Sequence, residues 1–156
     1  MKRYFWLALV AIPVLALGVV GDVAAGQVDG VNGEGGRPFT TVLMGANEVP
    51  AAPASDLVGT ALVTINRGQS ELCWDLDYTT TQHVVAAHIH KGPAGVAAPV
   101  VFGFFNPPAS AVPVNSGCRS GAPALLAAIA ADPGAFYVNV HTTAYPGGAG
   151  RGQLTK

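Results

Sequence analysis

The chain is 156 residues long and half hydrophobic, with 8 basic and 9 acidic side chains giving a net charge of −1. Charged residues make up only 11% of it, which excludes a basic stripe for nucleic acid and a basic amphipathic helix for an anionic membrane surface. The length suits one folded domain with one core.

At the N-terminus Lys2 and Arg3 precede an apolar run over 4–20, followed by Val23, Ala24 and Ala25, small residues that suit cleavage before Gly26. Residues 1–25 therefore read as a secretory signal peptide, with an uncleaved anchor as the competing reading because the run approaches bilayer-spanning length. No cysteine follows the run at a lipidation position. The expected product is secreted, periplasmic or extracellular, with no membrane attachment after cleavage. Residues 26–38 are glycine-rich and nearly devoid of apolar side chains, a flexible lead-in to a domain over 39–156.

From residue 39 onward the pattern is β-rich. Short strands are expected over 39–44, 57–66, 71–80, 83–91, 99–105, 135–142 and 152–155, separated by turn residues such as Asn66-Arg67-Gly68-Gln69, Lys91-Gly92-Pro93, Asn106-Pro107-Pro108 and Pro146-Gly147-Gly148. Alternation is clearest where Leu72, Trp74, Leu76 and Tyr78 oppose Cys73, Asp75 and Asp77, the mark of an antiparallel strand with one wet face. One helix is expected over 123–131, with proline in its first turn and Asp132-Pro133-Gly134 as its stop. Seven or so such strands and one short helix predict an all-β antiparallel Greek-key sandwich.

The two cysteines are Cys73, in a strand-like run, and Cys118, in the polar segment 115–121, expected to be a loop. In an exported protein an even count points to one disulfide, Cys73–Cys118. Two free thiols, or one thiolate serving a metal, are the alternatives.

The histidines carry the most chemistry. His88 and His90 are two residues apart in an apolar run, so a strand presents both imidazoles on one face, roughly 6.5–7 Å apart along the backbone. Val85, Ala87 and Ile89 then form the inner face. In the later strand Phe136, Val138 and Val140 point inward, and Tyr137, Asn139 and His141 share the outer face with the first pair. If the strands are neighbours, three imidazoles meet outside the sandwich beneath the loops 92–99 and 143–150. Three nitrogen donors with an open position suit copper or zinc, copper first on affinity order. His83 becomes a fourth ligand only if a bulge or strand start turns it onto that face. Glu48, Asp75, Asp77 and Tyr145 are candidate supporting or alternative ligands, and the competing reading of the trio is a hydrogen-bonded polar cluster at a strand edge. No serine or cysteine sits in a nucleophile setting and no glycine loop of the phosphate-cradling kind is visible.

Four ordered motifs complete the reading: 43–50 (Leu-Met-Gly-Ala-Asn-Glu-Val-Pro), 87–95 with Pro99-Val100-Val101, 137–142 (Tyr-Val-Asn-Val-His-Thr) and 151–154 (Arg-Gly-Gln-Leu). Together they resemble the CHRD domain, the module named for its copies in chordin and also found in exported microbial proteins. The resemblance runs from about Phe39 to the C-terminus and implies an all-β immunoglobulin-like sandwich. Where that family usually carries a Gly-Glu-Ile-like run before Arg-Gly-Gln-Leu, this chain has Gly148-Ala149-Gly150, and its Glu-Val-Pro continues as Ala51-Ala52-Pro53. The histidine layout is also similar to the copper site of copper-zinc superoxide dismutases, as an arrangement only.

The expected function is thus an exported domain binding a transition metal, copper before zinc, through His88, His90 and His141, with redox or superoxide-related activity following from an open site. The alternative is a metal-free extracellular interaction or structural module acting through a protein partner.

Overall fold

The computed structural model describes residues 36–106 and 113–156. The expected signal peptide, most of the lead-in and Pro107-Pro108 lie outside the described residues. Eight strands and one helix follow in chain order: β1 (Arg37–Met44), β2 (Val58–Asn66), β3 (Glu71–Thr79), β4 (Val84–Lys91), β5 (Val100–Phe105), β6 (Ser116–Ser120), α1 (Pro123–Ala131), β7 (Phe136–Thr142) and β8 (Gly150–Gln153). They form one antiparallel sheet in the order β5-β4-β7-β8-β1-β2-β3-β6.

Period-two sequence is what makes these strands. In β1 the buried Phe39, Thr41 and Leu43 alternate with the exposed Thr40, Val42 and Met44. In β3 the buried Leu72, Trp74 and Leu76 alternate with half-buried Asp75 and exposed Asp77, as their pattern predicts. The inward side chains of both halves merge into one core that includes Phe39, Leu43, Val63, Leu72, Trp74, Ile89, Phe104, Phe136, Val138 and Val140. That common core requires the sheet to curl until its halves face each other. The two edges come together: Trp74 of β3 stacks on Phe104 of β5 at 5.0 Å, and the Arg119 guanidinium of β6 donates to the Gly103 carbonyl of β5 at 3.1 Å. The result is a nearly closed, all-β fold with one short helix. Leu126 and Ile129 of α1 are fully buried in the same core.

Three details differ from expectation. Ser116–Ser120, read as loop, is a strand, because pairing with β3 organises a segment with no apolar alternation of its own. The first strand begins at Arg37, two residues earlier than expected, and the last runs Gly150–Gln153, with Thr155 bridging to Thr40 beyond it. In β4 a register shift between Val84 and Ala86 sends Val84 into the core and leaves Val85 half-buried, so Val85 does not extend the inner face of Ala87 and Ile89.

Cys73 and Cys118 are directly opposed across β3 and β6 and are joined by a disulfide. The bond closes 45 residues, a loop the chain-entropy model values at about 4 kcal/mol. The double variant Cys73→Ala/Cys118→Ala is expected to lose roughly 2–4 kcal/mol in urea unfolding, with reduction of the wild type reproducing the loss.

Candidate metal centre

On the outer face of the sheet, β4 lies between β5 and β7, and β8 follows β7. Register places His88 opposite Asn139, His90 opposite Tyr137, and His141 opposite Ala86, so the three histidines occupy adjacent outward positions on two neighbouring strands. Their ring centroids lie 5.9 Å (His88–His90), 5.2 Å (His88–His141) and 6.3 Å (His90–His141) apart. One ligating atom from each lies within 4.8 Å of the others.

Two loops roof the face, the same two that the histidine positions predict. His90 donates from Nδ1 to the Ala98 carbonyl at 2.8 Å, and His141 donates from Nδ1 to the Pro146 carbonyl at 3.0 Å. A carbonyl can only accept, so each neutral ring keeps its lone pair on Nε2. The Nε2 atoms of His90 and His141 and the Nδ1 of His88 are buried without hydrogen-bond partners. Second-neighbour carbonyls that fix the tautomer and orientation of a ring are the usual support of a ligating imidazole.

The surroundings stiffen His90 further. Tyr137 stacks parallel on its ring at 4.8 Å, and the Arg151 guanidinium lies over the Tyr137 ring, 4.2 Å from its centroid. Tyr137 accepts from the Ala98 amide at 3.1 Å, while Arg151 donates to the carbonyls of Val96 (3.1 Å) and Asn47 (2.7 Å). The loop over the site is thereby tied to β7 and β8. Gly103 stands opposite His88 on β5, where an added Cβ would make ordinary contact with His88 Cδ2 at 3.8 Å.

Burial favours the neutral, ligating form of all three rings. Desolvation, and then the charges of His141 and His90, pull His88 down to about 4; desolvation also lowers His90 and His141, against the carbonyl bonds that raise them. Glu48 is shifted the other way: burial raises its carboxyl to about 7, opposed by the Arg151 charge and the Asn139 hydrogen bond. The signs oppose in acid. Below pH 6.5 the unfolded chain takes up more histidine protons than the folded one, which lowers stability, whereas the folded chain holds the Glu48 proton more tightly, which raises it. Glu48→Gln removes the second contribution, so thermal unfolding of that metal-free variant is expected to fall more steeply between pH 6.5 and 4 than that of the wild type.

Placement of the other sequence candidates is mixed. His83 is exposed in the turn before β4, its carbonyl bonded to the Thr143 amide, and it is not brought into the trio. Asp75 and Asp77 lie on β3, away from β4 and β7. Tyr145 is half-buried and packs against the core. Glu48 is buried on the site's own face, accepting from Asn139 Nδ2 at 3.3 Å. Tyr137 and Asn139 do face outward as expected, but the roof buries them to 2% and 3% exposure. Arg151 was visible in the sequence only as part of a motif; its alternation with Gln153 is the sole hint of its position.

The CHRD domain matches residues 39–154 of this chain. The chain belongs to the CHRD domain family. All three histidines, both cysteines and the Glu48–Arg151 neighbourhood lie inside the CHRD match. No curated protein and no solved structure matches the chain significantly.

Proposed function

We propose that this CHRD domain binds one transition-metal ion, copper in preference to zinc, through His88 Nδ1, His90 Nε2 and His141 Nε2. The reading is carried by two observations: one ring nitrogen of each histidine lies within 4.8 Å of the others, and each of the three rings has a buried nitrogen with no hydrogen-bond partner. Leaving a buried acceptor unsatisfied costs roughly 1–3 kcal/mol each, so their concentration at one point calls for a common partner. Ligands at about 2.0–2.1 Å from one ion sit some 3–4 Å apart, a contraction that small side-chain rotations provide. Copper heads the affinity order for nitrogen donors. Three neutral imidazoles that leave a coordination position free support both oxidation states, and redox handling of copper, superoxide included, follows as the finer proposal. The Cys73–Cys118 disulfide and the family support a place outside the cytoplasm. Among the described residues no helix is long and apolar enough to cross a membrane.

The test is calorimetric titration of Cu²⁺ and Zn²⁺ into the protein at pH 7.5, with electron paramagnetic resonance of the copper form. One ion per chain, tighter for copper and showing nitrogen hyperfine structure, is expected; no saturable binding sinks the reading. Sheet-face side chains favour the alternative of a metal-free interaction module in one respect: Val42, Met44 and Val58 are exposed together on β1 and β2. In that case the protein saturates with neither ion and its function lies in protein contacts.

A further inference from the structure

All six buried, unpartnered side-chain atoms among the described residues belong to one face: the three histidine nitrogens, and Glu48 Oε1, Asn139 Oδ1 and Arg151 Nη2. The second three form a row beside the first. Asn139 is the cross-strand partner of His88 on one side and of Arg151 on the other, and its amide donates to Glu48 Oε2. Asn139 thus links the Glu48 carboxyl to the position directly opposite His88. The carboxyl is held there by design of the backbone. Gly148 has φ +140°, and a Cβ added to it would stand 2.4 Å from Glu48 Oε2, so only glycine closes the loop over this carboxyl.

The charge count on this face is unusual. Three neutral imidazoles bring no negative charge to a divalent cation, and Arg151 already places a buried positive charge nearby. The charged or titratable groups sharing the face with Glu48 are Arg151 on β8 and the histidines on β4 and β7; no second carboxylate among the described residues is buried there. Glu48 sits at 5% exposure with Oε1 unsatisfied although the Arg151 charge acts on it, so a buried acceptor remains free on this face.

Resting on the proposed metal reading, we infer that Glu48 is the site's proton-exchanging counter-charge: it ionises when a divalent ion enters the histidine trio, releasing its proton and biasing the site toward Cu²⁺ over Cu⁺. The step balances as one carboxyl proton released to solvent for one negative charge gained beside the ion. Burial, which raises the Glu48 carboxyl to about 7, supports this, since near pH 6.5 a proton is held there to be released, while burial keeps the three histidines neutral. Glu48 is a positioning residue in this account and touches no ligand position itself.

The experiment measures protons released per Cu²⁺ bound at pH 6.5, from calorimetry in buffers of different ionisation enthalpy, for wild type, Glu48→Gln and Glu48→Asp. Wild type is expected to release most of one proton more than Glu48→Gln, whose Cu²⁺ affinity is weaker by about tenfold and varies less with pH between 7.5 and 5.5 than that of wild type, and whose Cu⁺ affinity is little changed. Glu48→Asp recovers the proton release, which a merely structural role would not. Equal proton release in wild type and Glu48→Gln, both still binding copper, overturns the inference and leaves the metal site standing; a wild type that binds no copper overturns both.

Discussion

Single replacement of His88, His90 or His141 by alanine is expected to abolish stoichiometric copper binding at neutral pH. Each ring supplies one of the three nitrogens that converge among the described residues, and two imidazoles cannot hold the ion in the same cradle. The loss should exceed the roughly 10–100-fold that removal of a ligand's outer partner costs. His83→Ala serves as the control, since that ring is exposed in the turn and outside the trio; its affinity should match wild type. Folding is little disturbed by the substitutions at His88 and His141, which are only half-buried, whereas His90→Ala also loses its parallel stack on Tyr137, worth about 0.5–1.5 kcal/mol. Calorimetry at pH 7.5 reads the binding and thermal unfolding reads the folding. Binding that survives in all three variants removes the histidine site, while loss in His90→Ala alone points to a fold defect instead.

The histidine trio was legible in the sequence because it needs only local information. A spacing of two in a strand fixes a shared face, and the alternation of Phe136, Val138 and Val140 fixes the face of His141. Whether those faces meet depends on β4 and β7 being neighbours, a non-local pairing that motif order suggests and register establishes. The rest of the site was hidden for the same reason. Glu48 reaches Asn139 across 91 residues, and Arg151 reaches Asn47 across 104, contacts with no local signature. Exposure was equally hidden: Tyr137 and Asn139 read as outward, and outward means wet unless a segment from elsewhere covers them, as the Ala98 loop does for Tyr137 and Glu48 does for Asn139. Backbone irregularity defeated the period-two reading at Val85, where the shift beside Ala86 exchanges faces. Strand β6 could not be read at all, because Ser-Gly-Cys-Arg-Ser carries no hydrophobic pattern and gains its structure from its neighbour.

That neighbour is where the second large effect is expected. Trp74→Ala should cost about 3–5 kcal/mol, the range for truncating a buried large aromatic. Trp74 is only 4% exposed and joins three strands: it stacks on Phe104 of β5 with planes 8° apart, lies against Gly117 of β6, where an added Cβ would stand 2.8 Å from the ring, and donates from Nε1 to the Val114 carbonyl at 3.2 Å. These contacts are the seam that brings the two ends of the sheet together. Removing the indole leaves a cavity that the disulfide cannot collapse, since it holds β6 to β3 and not to β5. Against a domain stability of roughly 5–15 kcal/mol, the variant should melt some 10–20 °C lower. Trp74→Phe separates the contributions: it keeps most of the stack and forfeits the Nε1 bond to a carbonyl near solvent, for about 1 kcal/mol. The histidine site stands on β4 and β7, strands paired to each other independently of the seam, so copper stoichiometry below the melting temperature should be unchanged. A Trp74→Ala protein that melts within a few degrees of wild type would mean that the curl is held by the pairing of the central strands alone, and that the closing stack is incidental to it.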